Sequence, residues 1–523
     1  MTRALVLLGV LLGGVSPLQA AGVERFAVVV GNNVAPVEDL MALHYADDDA
    51  ARLYEFLTAA GHHARLLTVL DEESQSTFPR LVSHAVPPGR QQVLEVLSQV
   101  QTEMKAAHER GAIVEFVFAF AGHGKGGPEG GAIFLLDGPF TRQDLSTHVV
   151  GASPADFNHI LIDACDSYFM VAARGGAYQD DRVGTPDAMD LVRNYLEGDG
   201  PTQDVRTGWL VSTNQAAQTH EFQGFGAGVF SHVVHSALTG AADANRDGSV
   251  EYSEVLAYAA AAAQQISDPR ARLNVFGRAP PRDVHHPLMD LRTARFAHFL
   301  RLGPDISGRL YVEDDRNVRY VDLHKAPGTD VILALADARV YRVVRDGDGR
   351  EARVDLKLMR RGAVRLGDFV APNRAARGGG EMRRELFAIP FDSGFYRGFV
   401  ASQQLTPAVA GSTFEPPEAS RQGWLPQRPR FLFGIPGLVM LGGGGLLGVG
   451  AGVATLLTKL AYDAYVVTLR ETGLPDAQQE QRINALRITA GLLVAGGLAA
   501  LALGGILVAV ELLWPAGRGE ETP

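Results

Sequence analysis

Short apolar runs alternate with helical patterns from residue 22 to residue 290. Runs such as Phe26–Val30 and Ile113–Ala121 are apolar throughout, which is typical of strands buried on both faces of a sheet. The segments between them place apolar residues three or four positions apart, which predicts helices. The predicted strands are 26–30, 64–70, 113–121, 158–163 and 209–212, and the predicted helices are 47–60, 91–109, 228–239 and 253–266. This alternation predicts an α/β fold with a mostly parallel sheet and helices on both faces.

The pattern changes after residue 290 to short strands separated by turns. The predicted strands are 308–312, 331–335, 340–344, 354–358 and 363–366, with a turn at 346–349. This series predicts a small antiparallel, sandwich-like β domain over 291–406, which serves as a spacer or a binding module. Residues 407–430 contain five prolines and form the predicted linker that follows.

Both ends of the chain carry long apolar segments. Residues 1–21 combine Arg3, a short apolar run and small residues, as in a signal peptide cleaved near Ala20 or Ala21; the alternative is a buried first helix. Residues 431–457 and 488–510 are uncharged and long enough to span a bilayer. They predict transmembrane helices at 431–457 and 488–514 with a polar loop, 458–487, between them. The alternative is a pair of buried globular helices, but no further domain is left to bury them.

These segments predict a membrane-anchored protein with its main domain on the extracytoplasmic, or periplasmic, side. Basic residues on the two sides of the spans barely discriminate between orientations, so the predicted orientation depends on the signal peptide. The lipid bilayer is therefore an expected partner.

Composition narrows the class of protein. The 523 residues are 46% hydrophobic and 20% charged, which excludes wholesale disorder. Lys and Arg number 48 against 59 Asp and Glu, for a net charge of −11, so nucleic acid is not an expected partner. Cys165 is the only cysteine, which excludes an intrachain disulfide and a zinc site built from cysteines.

Two predicted strands end on residues that carry chemistry. His123 and Gly124 follow the strand at 113–121, and Cys165 follows the strand at 158–163. Neighbouring parallel strands place their carboxyl ends at one edge, where an imidazole can take the proton of a thiol. The N–H groups of Gly124 and Cys165 would then hold an oxyanion, and His123 would protonate the leaving amine. Each residue alone has a plainer interpretation, a buried small side chain or a loop histidine, but the pair favours catalysis.

These residues lie in motifs that resemble a known family. Phe-Ala-Gly-His-Gly at 120–124, Asp-Ala-Cys at 163–165 and Leu-His-Tyr-Ala-Asp-Asp-Asp-Ala at 43–50 are similar to caspases and metacaspases over roughly residues 23–285. The resemblance implies a caspase-like fold and a cysteine endopeptidase that acts on proteins or peptides through His123 and Cys165. This chemistry requires no cofactor.

The resemblance has departures that leave other functions open. Metacaspases usually follow the cysteine with His-Ser-Gly, whereas this chain has Asp166-Ser167-Tyr168. The main alternative is therefore a catalytically inactive caspase-like binding or scaffold protein at the membrane. In a third alternative, the effector is the glycine-rich hairpin formed by the predicted membrane helices 431–457 and 488–514. Proteolysis would release it as a tail that perturbs membranes.

The resemblance also implies a substrate preference. Asp163, two residues before the cysteine, corresponds to an acidic S1 residue in metacaspase-like enzymes, so cleavage after Arg or Lys is expected. The alternative is that Asp163 only orients its loop. Glu221 is a further acidic candidate, whereas two of the three residues Asp47–Asp49 are interpreted as helix N-terminal charge. The polar segment 173–207 corresponds to the family's intersubunit linker, and we expect self-cleavage there.

Residues 243–254 match an EF-hand loop. The predicted calcium ligands are Asp243, Asn245, Asp247, the Ser249 carbonyl, Glu251 and Glu254. Without a paired loop, the site would bind weakly and brace the structure. The alternative is a surface turn in which Ser253 caps the next helix.

Overall fold

The computed structural model describes residues 22–34, 41–125, 131–164, 204–212, 221–266, 273–358, 361–371 and 385–403. All of them belong to one compact unit of the chain. The predicted signal peptide, Cys165, the segment 173–203, the linker and both predicted membrane helices lie outside the described residues. Within the described ranges, no helix has the length and apolar character needed to cross a membrane.

The first half of the α/β region carries the amino-terminal strands of the main sheet. Its elements are β1 (Val23–Asn32), α1 (Ala46–Ala60), β2 (His63–Leu67), α2 (Glu72–Thr77), β3 (Ala85–Val86), α3 (Arg90–Glu109), β4 (Ile113–Gly122), β5 (Gly124–Lys125), β6 (Ala132–Leu135), β7 (Gly138–Thr141), α4 (Arg142–Asp144) and a π-helical turn (Leu145–Gly151). The short strands β5, β6 and β7 form an antiparallel sheet of their own.

The second half completes the sheet and adds two helices. Its elements are β8 (Phe157–Asp163), β9 (Thr207–Ser212), β10 (Glu221–Phe222), β11 (Ala227–Gly228), α5 (Val229–Ser236), a π-helical turn (Ala237–Ala241), β12 (Ser249–Val250), α6 (Tyr252–Ala263), β13 (Val275–Arg278) and β14 (Met289–Asp290). The main sheet has the described order β13-β9-β8-β4-β1-β2-β3. Every pairing in it is parallel except that of β13 with β9. The predicted mostly parallel sheet is confirmed.

Both faces of this sheet are buried, which explains its continuous apolar strands. Val29 of β1 packs in the same apolar cluster as Phe56 of α1 and Val233 of α5. Its neighbour Val28 points to the opposite face, into a cluster with Val93 of α3. Because alternate residues of a strand face opposite sides, burial on both sides requires an apolar residue at every position.

Most predicted boundaries in the α/β region agree with the structure to within a few residues, and two differ for a local reason. The predicted helix 228–239 ends at Ser236 and continues as a π-helical turn. Gly240 within that turn has φ +111°, which a residue with a side chain rarely adopts. The predicted strand 64–70 ends at Leu67, before a short segment that leads into α2.

The β region, residues 291–403, forms two further sheets. Its elements are β15 (His298–Leu302), β16 (Gly308–Asp314), β17 (Arg319–Lys325), β18 (Val331–Leu335), β19 (Val340–Arg345), β20 (Glu351–Asp355), a 3₁₀ turn (Leu356–Leu358), β21 (Gly362–Arg365) and α7 (Ser393–Gln403). The described sheets have the orders β18-β15-β21 and β17-β16-β19-β20. Their pairings are antiparallel, as predicted, except that β21 runs parallel to β15. The predicted strand 354–358 is wrong in part, because the strand ends at Asp355 and a 3₁₀ turn follows, and the strands β15 and β17 were not predicted.

The β region shares its core with the α/β region. Leu300 and Leu333 of one β sheet and Val312 of the other lie in the apolar cluster that also contains Val233 of α5. The two regions are therefore packed together through α5, although their sequence patterns differ.

Candidate active site

The strands β1, β4 and β8 end together at one edge of the sheet. Asn32 of β1 is paired with Gly122 of β4, and Ala121 of β4 is paired with Asp163 of β8. His123 follows Gly122 directly, so it lies at the edge where α/β proteins bind ligands. The predicted neighbouring of the two strands is confirmed as far as Ala121 and Asp163. The predicted approach of Cys165 to His123 lies outside the described residues.

His123 is buried and held by backbone groups. Its side chain is 6% exposed, and its Nε2 lies 3.1 Å from the carbonyl oxygen of Met41. A carbonyl oxygen only accepts hydrogen bonds, so Nε2 carries the proton and Nδ1 keeps its lone pair. Burial lowers the pKa of His123, which leaves the imidazole neutral at pH 7. The orienting role of Met41 was not predicted, because a backbone carbonyl leaves no mark in a sequence.

The loop after His123 is fixed by a short sheet. The His123 carbonyl accepts the N–H of Phe134 at 3.0 Å, and Gly124 pairs with Ile133 across β5 and β6. Gly124 therefore lies next to His123 in an ordered strand. Cys165 lies two residues beyond Asp163 in the sequence. It is outside the described residues, so its distance from His123 cannot be given.

Asp163 ends β8 and contacts the first turn of α5. Its Oδ2 accepts hydrogen bonds from the Ser231 hydroxyl at 2.6 Å and from the Ser231 N–H at 3.1 Å. The residue is 9% exposed, and burial raises its pKa to about 6 despite these hydrogen bonds. Among the described residues, no basic side chain forms an ion pair with it.

Asp49 approaches the same point from helix α1. Its Oδ2 accepts the N–H of Gly228 at 2.9 Å. A Cβ atom on Gly228 would lie 2.9 Å from Oδ2 of Asp49 and 2.9 Å from Oδ2 of Asp163. The distance between Oδ2 of Asp49 and Oδ2 of Asp163 is therefore at most twice 2.9 Å. Burial, together with the charge of Asp163, raises the pKa of Asp49 well above its usual range.

The other two members of the Asp run have separate partners. Asp47 accepts the Asn33 side-chain amide at 2.7 Å and, through Oδ2, the N–H of Asp71 at 3.0 Å. Asp48 accepts the Ser74 hydroxyl at 3.1 Å, and burial raises its pKa to about 7. These two residues hold the start of α1, which is the structural role predicted for two of the three. Asp49 is the member that reaches the candidate site.

Glu221 is engaged by the segment that precedes α1. Its Oε1 accepts the N–H groups of His44 and Tyr45, both at 2.8 Å, and its Oε2 accepts the His44 N–H at 3.0 Å. In this arrangement, Glu221 stabilises the segment between β1 and α1. Its charge also contributes to the raised pKa of Asp163.

A cavity of about 40 Å³ lies beside the two aspartates. It is large enough to hold water. Its polar lining residues are Asp49, Arg52, Asp163, Ser231, His232 and His235. Arg52 places Nη1 3.7 Å from Oδ1 of Asp49, so it offsets the charge of Asp49 rather than that of Asp163.

The loop at 243–254 lies elsewhere and is braced from within. Asp243 accepts the N–H groups of Asp247 at 3.1 Å and Gly248 at 3.0 Å, and the left-handed φ of Gly248, +80°, permits the turn. Glu254 accepts the N–H of Ala244 through Oε1 and that of Glu251 through Oε2, both at 3.0 Å.

The remaining predicted calcium ligands are also held in place. Asn245 accepts the Asp247 N–H at 2.9 Å, Asp247 accepts the Ser249 N–H at 2.7 Å, and Glu251 contacts Nδ1 of His285 at 3.1 Å. Within the described ranges, no three His, Asp or Glu side chains are grouped as they would be around a metal ion.

Solved structures show a coarse similarity to this chain, and two of them cover about half of it. No protein-family model and no curated protein matches the chain. A crystallised protein of Geobacter sulfurreducens is 15% identical over 51% of this chain and 99% of its own, with a TM-score of 0.30. The structure of pro-sf-caspase-1 is 11% identical over 50% of this chain and 88% of its own, with a TM-score of 0.29. Neither similarity carries an argument about function.

Proposed function

We propose that this protein is a caspase-like cysteine endopeptidase in which His123 and Cys165 form the catalytic dyad. The observation that carries the proposal is the state of His123, which is buried, neutral and oriented by the Met41 carbonyl. The strand register supports the choice of partner. His123 lies two residues beyond Ala121 and Cys165 lies two residues beyond Asp163, and those two reference residues are paired.

The proposed reaction begins with proton transfer from the Cys165 thiol to Nδ1 of His123. The thiolate attacks the carbonyl carbon of the scissile peptide bond, and the N–H of Gly124 stabilises the oxyanion that forms. His123 then donates its proton to the departing amine, which leaves an acyl-enzyme. Water, deprotonated by His123, attacks the thioester, releases the carboxylic acid and restores the thiol.

The proposed substrate preference is for Arg or Lys before the scissile bond. Two buried carboxylates, Asp49 and Asp163, converge at Gly228, and only Asp49 has a nearby guanidinium among the described residues. A substrate cation placed beside Asp163 would balance a buried charge that is otherwise costly. No hydrogen bond from a described residue reaches Oδ1 of Asp163, which leaves that atom as an acceptor for the substrate.

The decisive experiment measures peptide cleavage by the full-length protein in detergent. Fluorogenic peptides with Arg, Lys or Asp before the scissile bond are compared in the wild type, Cys165→Ala and His123→Gln. His84→Gln, at an exposed histidine, is the matched control. Cleavage of the Arg and Lys peptides that both dyad variants lose supports the proposal. Cleavage of the Asp peptide alone would retain the peptidase and reject the proposed role of Asp163.

A second measurement separates the peptidase from the inactive binding or scaffold protein. Because Cys165 is the only cysteine, alkylation of the whole protein reports on that thiol alone. A dyad that lowers the thiol pKa keeps alkylation fast below pH 7, and His123→Gln slows it. Slow alkylation in both proteins, together with no cleavage, would favour the binding protein.

We also propose that the protein is anchored to a membrane by residues 431–457 and 488–514, with the peptidase region exported. The two segments are apolar and long enough to span. Full-length protein should stay with membranes after an alkaline carbonate wash, and a chain ending at residue 430 should be released. Release of both proteins would reject the anchor.

Self-cleavage in 173–207 is part of the same proposal. Arg174, Arg182 and Arg193 place the preferred residue at several points of this polar segment. The fourth arginine, Arg206, is a poorer candidate, because it is hydrogen-bonded to Asp204, Ser153 and Ala155 and directly precedes the buried strand β9. The wild type should accumulate fragments cut after one of these arginines, and Cys165→Ala should remain intact. Equal cutting of both proteins would assign the cuts to another protease.

A further inference from the structure

Helix α5 connects the candidate site to the β region. Its amino-terminal end donates to both site carboxylates, from the N–H of Gly228 to Asp49 and from Ser231 to Asp163. A shift of this helix would therefore disturb the hydrogen bonds that hold both acceptors of the proposed substrate cation.

The same helix is hydrogen-bonded to strand β17 of the β region. His232 places Nε2 2.9 Å from Oδ2 of Asp322, and His235 donates from Nδ1 to the Tyr320 carbonyl at 3.0 Å. The Asp322 N–H donates to the Ser236 hydroxyl at 3.2 Å. His232 immediately follows Ser231, so one helical turn contacts both Asp163 and Asp322.

Asp322 is held in place by a second charged residue. Arg319 donates from Nε and Nη2 to the two oxygens of Asp322, at 2.6 Å and 2.7 Å. Burial opposes ionisation of Asp322, but the Arg319 charge and its hydrogen bonds lower the pKa of Asp322 to about 2. Arg319 is in turn stacked on the Tyr311 ring at 3.3 Å, so its guanidinium is fixed.

Apolar packing alone would hold α5 against the β region, because both contribute to one core. A buried Arg–Asp–His network adds little net stability, since the cost of removing charges from water offsets their attraction. Its hydrogen bonds do fix one rotation and one axial position of the helix. The network is thus suited to positioning rather than to stabilisation.

We propose that Asp322 is a positioning residue for the substrate pocket, and that the β region is a working part of the peptidase rather than a spacer. Through His232, Asp322 sets α5 so that Gly228 and Ser231 hold Asp49 and Asp163 at one point. The effect on substrate rests on the proposed function, whereas the effect on α5 does not.

The test compares full-length Asp322→Asn with Asp330→Asn. Asp330 pairs with Arg301 at 3.1 Å in the same β region and makes no described contact with α5. Hydrogen exchange should become about tenfold faster at the amides of Gly228 and Ser231 in Asp322→Asn and stay unchanged in Asp330→Asn. For the Arg peptide, Asp322→Asn should raise KM about tenfold with a smaller change in kcat, because the dyad is untouched.

A second pair of variants tests the proposal even if Asp322→Asn does not fold. His232→Gln keeps an N–H donor for Asp322 and should preserve slow exchange at Ser231, whereas His232→Leu should lose it. Unchanged exchange in both Asp322→Asn and His232→Leu would overturn the proposal. If wild-type protein cleaves no peptide, the proposed function fails, yet the exchange measurements still decide whether Asp322 positions α5.

Discussion

Asp49 of helix α1 and Asp163 of strand β8 direct their Oδ2 atoms to the same point, 2.9 Å from where a side chain on Gly228 would begin. They are separated by more than a hundred residues, and both are buried. Burial raises the pKa of both carboxyls, and the charge of Asp163 raises that of Asp49 further. The arrangement favours a ligand that brings positive charge.

Removal of either carboxylate should weaken cleavage of basic peptides. Asp163→Asn and Asp49→Asn each remove one acceptor from a desolvated charge pair, which costs a few kcal/mol, or at least about thirtyfold in kcat/KM for the Arg peptide. Asp337→Asn, at an exposed carboxylate, should leave kcat/KM unchanged. Cleavage of Arg and Lys peptides at the wild-type rate by both site variants would show that the basic residue binds elsewhere.

Asp163→Asn should also stabilise the folded protein at neutral pH. Asp163 has an ordinary pKa of 3.8 when unfolded and about 6 when folded, so the folded state binds more protons between these values and loses stability as the pH rises through them. Above pH 6, the cost reaches an upper limit of about 3 kcal/mol. Asp163→Asn avoids this cost and keeps an oxygen for Ser231.

Urea unfolding at pH 4 and pH 7.5 measures the effect. Asp163→Asn should be more stable than the wild type at pH 7.5, with a smaller difference at pH 4. A difference that is the same at both pH values would mean that Asp163 titrates alike in the folded and unfolded chain.

Gly228→Ala should impair both binding and stability. The added Cβ would lie 2.9 Å from each carboxylate oxygen, closer than carbon and oxygen tolerate, so one carboxylate has to move. Overpacking of this kind typically costs about 1–3 kcal/mol. We expect a lower melting temperature and a higher KM for the Arg peptide. Gly347→Ala is the control, because no atom lies within 4 Å of its added Cβ.

Calcium should stabilise the protein if the loop at 243–254 binds it, as we propose from its EF-hand pattern. Burial and the nearby Asp247 raise the pKa of Asp243 to about 7, and burial also raises that of Glu254. A divalent cation would offset this accumulation of carboxylates. Millimolar CaCl₂ should raise the melting temperature by several degrees, the shift expected for about 1–3 kcal/mol.

Two controls make the calcium measurement specific. Glu254→Gln removes the closing carboxylate and should abolish the shift, whereas Glu351→Gln, outside the loop, should retain it. An identical shift in Glu254→Gln would assign the effect to ionic strength or to calcium bound outside the loop. In that case the loop would be the surface turn of the alternative interpretation.

The sequence predicted the parallel sheet well because its signal is local. Each of β1, β4 and β8 is a continuous apolar run, and burial on both faces imposes that pattern wherever the strands pair. His123 could be placed because it directly follows such a run. Asp49 could not be distinguished from Asp47 and Asp48, because consecutive positions on a helix point in different directions and their partners lie far away in the chain. The parallel pairing of β21 with β15 was also missed, since strand direction depends on the path of the connecting chain.

By itself, the sequence determined the main alternation of strands and helices in residues 22–290, the location of His123 at a strand end and the presence of one thiol. Those features follow from local periodicity and from the identity of single residues. Only the tertiary structure decided that Asp49 meets Asp163 at Gly228, that the Met41 carbonyl orients His123, and that Glu221 holds the segment before α1. Only the tertiary structure joined Asp322 to His232. Each of these contacts depends on packing between distant segments, and the free energy that selects it comes from burial shared by the whole core.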